Sequence, residues 1–540
     1  MTINAFQRNM SFRALAYSFK SLKLNAFRFS YFSSLILFYT LFTSNLVAQT
    51  NSNFELGLPL TQKFTPNEYK AFPQNWSISQ FADGRLISAN GDGFLTYDGE
   101  SWSLLQSKST VRVVFRASNN TIYVGLRGDF GYLDATENGS LQFVSLRHLT
   151  GLSEAELSDV SEIAEHENAI IFKHDTGFFT WDKKVVISQR SEKRFIKSFK
   201  VNNRFFVLDE TKGLLEYEKG TLTPIPFSQA LSGYKVTAIL EDSGTDLFII
   251  TEADGFFILN QKGLSSQTNS LRNQLRRDKI STALKLSNGN IAIGTINNGL
   301  YLFNEQMDVI SQLTMKNGLI DNTILSLYEE MNTGALWLAS ENGLTRVSTH
   351  LSISQFGENE GISGSVNGII RFSDQLYVGT SQGVSVFKGN DALDKSFIKL
   401  RLPISKIWDI DASTSRLIIA ADEGLILYRS GFLQFLDRMS SYSITPIPGI
   451  ANNYVIGRKE GVFLLDVSNP NNPDLKNIDD SKNEVRSMTW DKKGRLWLGL
   501  RTSGTQRVDF SEDYKSGKIV SFDTNNGLPD SWLDVSLIED

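Results

Sequence analysis

The sequence predicts an all-β fold: tandem β-propellers of four-stranded blades, about eleven blades plus a partial twelfth, in two rings of which the second is incomplete. Three observations predict it. A strand–turn–strand phrase recurs along the chain. Its copies fall at a period close to one blade. The chain is long (540 residues) and globular in composition, 41% hydrophobic and 11% aromatic, and only a multi-unit architecture accommodates that length.

The phrase is a short β-rich strand, a polar turn that ends in glycine, and a second short strand. Clear copies are GRLISANGDGFLTYDG from Gly84, GNIAIGTINNGLYLFN from Gly289, GALWLASENGLTRV from Gly334 and GRLWLGLRTSGTQRVDF from Gly494. Eleven copies are found, and the glycine of each falls at 93, 131, 177, 213, 255, 299, 343, 383, 424, 461 and 504. These glycines lie 36–46 residues apart, with a mean near 41. Four strands of about five residues and four turns of about five fill such a period.

Each part of the phrase has a physical reason. Leu-Trp-Leu-Ala at Leu336 and Leu-Tyr-Val-Gly at Leu376 are short, apolar and β-prone, as buried strands must be. The polar pair before the glycine is hairpin chemistry, and the glycine is expected to supply a positive φ. Small residues after the first strand of the phrase (Ala89, Gly125, Gly294, Ala339, Gly379, Gly499) allow close backbone approach and are expected to sit toward a crowded propeller axis. Residues 151–165 and 262–280 lack strand texture and read as decorations, with Ser153–Glu156 able to start a short helix. The predicted boundaries are 1–48 for the leader, 50–350 for the first propeller and 351–540 for the second. The chain ends inside a blade phrase, at Gly527–Asp540, which reads as the front part of a longer protein.

The leader has the order of an export signal. Five basic residues (Arg8, Arg13, Lys20, Lys23, Arg28) precede an uncharged apolar stretch and then Leu46-Val47-Ala48, and no acid occurs before Glu55. An uncleaved signal anchor is the alternative. Removing those five charges leaves 49 basic against 59 acidic residues, a net charge of −10. An acidic body disfavours nucleic-acid binding. Cysteine is absent, which excludes disulfides, thiolate catalysis and Cys-ligated metals.

The repeats GALWLASENGLTRV and NGLPDSWLDVSLIED, with the opening Gln74-Asn75-Trp76-Ser77-Ile78 and Tyr97-Asp98-Gly99-Glu100-Ser101-Trp102, resemble the two-component regulator propeller repeat. The resemblance covers about residues 52–540. It implies the periplasmic sensor region of Bacteroidetes-type membrane regulators, in which a small β-sandwich, a membrane helix and a cytoplasmic output domain follow the propellers. None of those parts is visible in this sequence.

No catalytic constellation emerges. Gly379-Thr380-Ser381-Gln382-Gly383 matches a nucleophile-elbow pattern, but its columns are those of the hairpin, so Ser381 is a turn residue. His166 and His174 are weighed as a metal pair against solvated or core histidines, which the spacing favours. Asn90–Gly93 faintly resembles a calcium loop and coincides with the hairpin. The acid pairs Glu241-Asp242, Glu329-Glu330 and Glu539-Asp540 share one repeat register, which points to a turn role rather than a catalytic pair. The eight tryptophans read as blade packing.

The expected function is an extracytoplasmic ligand-sensing region with no enzymatic activity, cofactor or metal, and with no binding residue assignable. Its expected partners are a small molecule or carbohydrate and a second copy in a homodimer, with membrane contact only through the leader or a later segment. A secreted propeller enzyme acting on glycans and a protein-interaction scaffold are the alternatives.

Overall fold

The computed structural model describes residues 55–137, 140–389, 393–478, 483–502 and 504–528. The leader, the acid pair Glu539-Asp540, Trp532 and the partial twelfth blade lie outside the described residues. The elements below belong to one compact unit beginning at Leu56.

Eleven four-stranded antiparallel sheets follow one another along the chain, at 75–106, 111–145, 162–190, 195–224, 236–267, 280–313, 324–347, 366–399, 407–437, 441–477 and 485–522. We number them blades one to eleven. Within each, strands pair in chain order, save for the outer strand of blade seven, and within blades one to seven and within blades eight to eleven the first strand of one blade contacts the first strand of the next. The first strands are therefore the inner ones. Second strands are apolar runs buried on both faces: all five residues of Leu86–Asn90, Leu336–Ser340 and Leu417–Ala421 are buried. Fourth strands alternate and face solvent, as Trp102–Gln106 does. The core is thus a series of layers between consecutive blades. One layer joins Phe206, Leu208 and Leu214 of blade four to Ile249 and Leu259 of blade five.

Blades one to seven form a closed circuit. The first two strands of blade seven touch the inner strand of blade one. The outer strand of blade seven comes from the other end of this unit: Thr61–Phe64 pairs with Gly343–Val347, Phe64 opposite Leu344. Phe64 stacks on Trp337 of blade seven at 5.2 Å and meets Tyr97 and Trp102 of blade one at 5.2 and 5.3 Å. One aromatic residue thereby joins the first and last blades of the circuit. Just before it, Leu58–Pro59 pairs with Ser354–Gln355, and Lys395 Nζ donates to the Gly57 carbonyl at 3.3 Å. The strap ties the start of the unit to the segment around blade eight. Blades eight to eleven then contact one another in succession.

Four local expectations change. Nine of the eleven repeat glycines have positive φ, but Gly131 and Gly177 do not. Gly131 lies two residues inside its strand, because Asp129 is the residue that closes that turn opposite Leu126. A Cβ on Gly131 or Gly177 would overlap the carbonyl oxygen of Val144 or Gln189 on the outer strand, so close approach explains glycine there. Second, the small residues sit one strand out from the inner strands. Gly294 and Gly379 make room for Ile324 and Ile407, each the first residue of the next inner strand. Third, Gly263–Gln267 is the outer strand of blade five and Glu162–His166 the inner strand of blade three; only Arg272–Asp278 is helical. Their polar residues hid the strands. Fourth, Ser153 and Glu156 do bond to each other (Ser153 Oγ to Glu156 Oε2, 2.6 Å), but the chain makes only a turn there.

Candidate ligand-binding site

Ten of the eleven inner strands contain a register irregularity near their start, blade three being the exception. A β-bulge leaves one residue unpaired and re-aims its side chain. The bulged residues are Trp76, Arg112, Ile196, Thr237, Ser281, Leu325, Asn367, Trp408, Tyr442 and Arg486. Some of them lock neighbouring blades. Ser281 Oγ donates to Ile324 O at 2.5 Å, and Asn367 Nδ2 to Ile407 O at 2.6 Å. The aromatic and basic members form two clusters.

The first cluster opens on a cavity. The Arg112 guanidinium lies 4.3 Å from the centre of the Trp76 ring, and its Nε donates to Asp159 Oδ2 at 2.8 Å. Both bulged residues line a cavity of about 1180 Å³, together with Lys108, Arg127, Glu154, Asp159, Asp175 and several serines. One wall is the 151–161 loop. It is held by buried Leu157 and Val160, by the Val160 N–H donating to Leu126 O at 3.1 Å, and by Arg147, which bridges Glu154 Oε2 at 3.4 Å and Gly128 O at 3.2 Å.

Each acid of the cavity has a cation beside it: Asp159 has Arg112 at 2.8 Å, Glu154 has Arg147 at 3.4 Å and Asp175 has Arg194 at 3.6 Å. Lys108 and Arg127 are exposed, and their side chains make no hydrogen bond or ion pair among the described residues. Arg147 and Arg194 are not part of the lining, so they tip its balance of three cations and three acids toward positive.

The second cluster is closed on itself. Arg486 lies 4.4 Å from the centre of the Trp408 ring and 3.9 Å from that of Tyr442. Lys406 Nζ covers Trp408 at 3.3 Å, and Trp408 Nε1 donates to Asp422 at 2.6 Å. Glu484 pairs with Arg486 and, at 3.2 Å, with Arg501.

The motifs singled out in the sequence serve the frame. Ser381 lies in the two-residue turn between Gln375–Thr380 and Gly383–Phe387, and its Oγ accepts from Ser365 N at 3.0 Å. His166 and His174 occupy opposite ends of the hairpin formed by the first two strands of blade three, and both are buried. His174 stacks on Phe179 at 4.7 Å. Burial, reinforced by Lys173 and Arg190, pushes its pKa down to about 4. Asn90 donates to Phe72 O at 2.7 Å and to Asn75 Oδ1 at 3.0 Å, so it is a turn brace. Glu329 accepts from Ser287 of blade six and from His350, while Glu330 pairs with Arg346. Among the described residues no group of three or more His, Asp or Glu is placed to hold a metal. No helix among them is long and apolar enough to cross a membrane.

Sequence reasoning noticed Trp76 as a blade tryptophan and part of the opening motif and Trp408 as a blade tryptophan, and missed Arg112, Asp159 and Arg486. The signal was partly present: Asn75-Trp76, Val111-Arg112, Ile407-Trp408 and Val485-Arg486 each begin an inner strand, a buried first residue followed by the bulged one. Aligning that column, instead of the glycines, would have exposed Arg112 and Arg486, whereas Asp159 lies in a loop outside it.

Comparison with known proteins places this geometry. No family model matches the sequence, and no curated protein matches it. Among solved structures, the extracellular domain of a chain described as the hybrid two component system BT3049 of B. thetaiotaomicron matches with a TM-score of 0.62 at 16% identity. The match covers 87% of this chain and 67% of that one. The chain is a tandem propeller. The extracellular domain of the B. thetaiotaomicron one component system BT4673 matches at TM-score 0.42 and 16% identity over 88% of this chain and 68% of that one. A streptogramin B lyase matches at 0.41 and 12% identity over 53% of this chain and 96% of that one.

Proposed function

We propose that this chain is the extracytoplasmic sensing region of a two-component-type signalling protein, exported by its leader. It binds a small molecule or glycan and relays that event to an output domain. The observation that carries the reading is the convergence of the bulged Trp76 and Arg112, from adjacent blades, on the large cavity walled by the 151–161 loop. Propeller frames are rigid, and recognition falls to loops and strand ends at one face. The propeller fold shared with an extracellular sensor domain supports the setting. The region itself acts by binding rather than by catalysis: the cavity lining holds carboxylates already paired to arginines and no histidine or tyrosine. A ligand that prefers one arrangement of the loop or of a dimer would shift its population.

The test is a thermal-shift screen of residues 50–540 against neutral and acidic oligosaccharides and small metabolites, repeated with Trp76→Ala. Saturable stabilisation that weakens at least tenfold in the variant supports the site. Stabilisation unchanged by the variant places binding elsewhere, and product formation makes the chain an enzyme.

A further inference from the structure

The charges around the cavity say what kind of ligand it takes. We infer that the site selects an anion: a carboxylate- or sulfate-bearing small molecule of up to oligosaccharide size, held by Lys108 and Arg127 against the Trp76–Arg112 wall. The inference rests on the reading of this cavity as the binding site and adds the chemistry of its occupant.

Three points support it. First, every carboxylate in the lining already faces an arginine, two of them (Arg147 and Arg194) from outside the lining. Lys108 and Arg127 have no such partner among the described residues and line the same space. A neutral ligand would leave both cations as they are; an anion would pair with them in a concave site, where the field of two like charges adds. Second, Arg112 is held on two sides, by the Trp76 ring and by Asp159, so it forms a fixed edge of the site. Stacked and ion-paired arginine keeps its planar fork oriented for a carboxylate or sulfate. Third, the chain beyond the leader is acidic overall, so an electropositive pocket is a local exception and not a consequence of composition. The volume of about 1180 Å³ is at the upper end of ligand sites, which gives room for a molecule with more than one anionic group.

The test uses residues 50–540 and two matched probes, the neutral disaccharide lactose and its carboxylated counterpart lactobionate, with citrate as a compact polyanion. Binding is read by titration calorimetry, with sodium chloride matched for ionic strength. Lactobionate or citrate should bind saturably and at least tenfold more tightly than lactose. That binding should weaken at least tenfold in the Lys108→Ala/Arg127→Ala double variant and fall as salt rises. The double variant replaces two exposed side chains, and its unchanged melting temperature shows that the fold is intact. Anion binding that the double variant retains overturns the inference. Lactose binding equal to lactobionate binding, and lost in Trp76→Ala, overturns the anion selectivity and leaves the cavity reading standing. If the anions give only the sodium chloride response and lactose does not bind, the inference falls; if the wider screen then finds no Trp76-dependent ligand, the cavity reading falls as well.

Discussion

Blades one and two and blades nine to eleven present the same device to different ends. In both regions a β-bulge at the start of the inner strand turns an aromatic or basic residue away from the ladder. At Trp408, Tyr442 and Arg486 those side chains pack on one another, with Lys406, Asp422 and Glu484 completing the set. At Trp76 and Arg112 they stop at a cavity, because the blade two–three connection is long enough to rise as a wall and carries Asp159 to meet the arginine. The repeat supplies the bulge; the connection decides whether it becomes a lock or a site.

The two regions differ as well in how they are closed, and the largest expected effect breaks that difference. Phe64→Ala removes the ring that joins blades one and seven. It should cost about 3–5 kcal/mol, as truncation of a buried aromatic does. Urea unfolding should show the loss, and hydrogen exchange should locate it in 61–64 and 336–347. Equal loosening of blades nine to eleven would show that the seal is not local to the circuit.

Acid should act on the two regions with opposite sign. In blade three, His174 has its pKa pushed from the ordinary 6.5 to about 4, chiefly by burial. The unfolded chain takes up that proton first, so stability from this group is full above pH 6.5 and is lost as pH falls toward 4, a change of a few kcal/mol at most, about 1.4 per pH unit. In blade nine, burial raises Asp409 to about 6, against hydrogen bonds from the Ile444 and Ile410 amides. The folded chain holds that proton more tightly, so its contribution is full below the ordinary carboxylate value and is lost as pH rises through about 6. Unfolding free energies of wild type and His174→Phe between pH 4 and 7 should diverge on the alkaline side of pH 4 and show a flatter acid loss in the variant. Parallel curves would mean that His174 titrates normally.

The smallest effect sharpens the contrast between lock and site. Arg486→Ala removes a cation from between two rings and leaves Glu484 with Arg501 alone, and should cost about 1–2 kcal/mol. Arg112→Ala breaks a partly exposed pair beside open space and should cost less than about 1 kcal/mol. Denaturant midpoints of the two variants decide the order. The reverse order would make Arg112 the structural residue and Arg486 the spare one.

Much of the frame could be read from the chain. A turn in each of eleven copies lies where a hairpin turn forms, and Leu336–Ser340 and Leu417–Ala421 announce themselves as buried strands by apolar character alone. Strands with one face in water were harder. Glu162–His166 and Gly263–Gln267 have polar residues at the solvent face or beside charged neighbours, so composition pointed to loops. In blade two the glycine column misled by two residues, since Asp129 closes the turn and Gly131 is there for the Val144 carbonyl. Of the candidate site only the bulge column of Trp76 and Arg112 was legible. Lys108, Arg127 and Asp159 come from the blade one–two connection, a turn of blade two and the blade two–three loop, and no spacing rule links them.

The sequence by itself determined the repeat, its period, the strand-rich sheets and the lack of thiol chemistry, because each follows from residue type and local order. Only the tertiary structure decided that Thr61–Phe64 completes blade seven, that bulged side chains face the next blade, and that two cations beside a cavity find no partner among the described residues. Those facts depend on which distant surfaces meet, and local propensity carries no record of its partner across 280 residues of chain, as between Phe64 and Leu344.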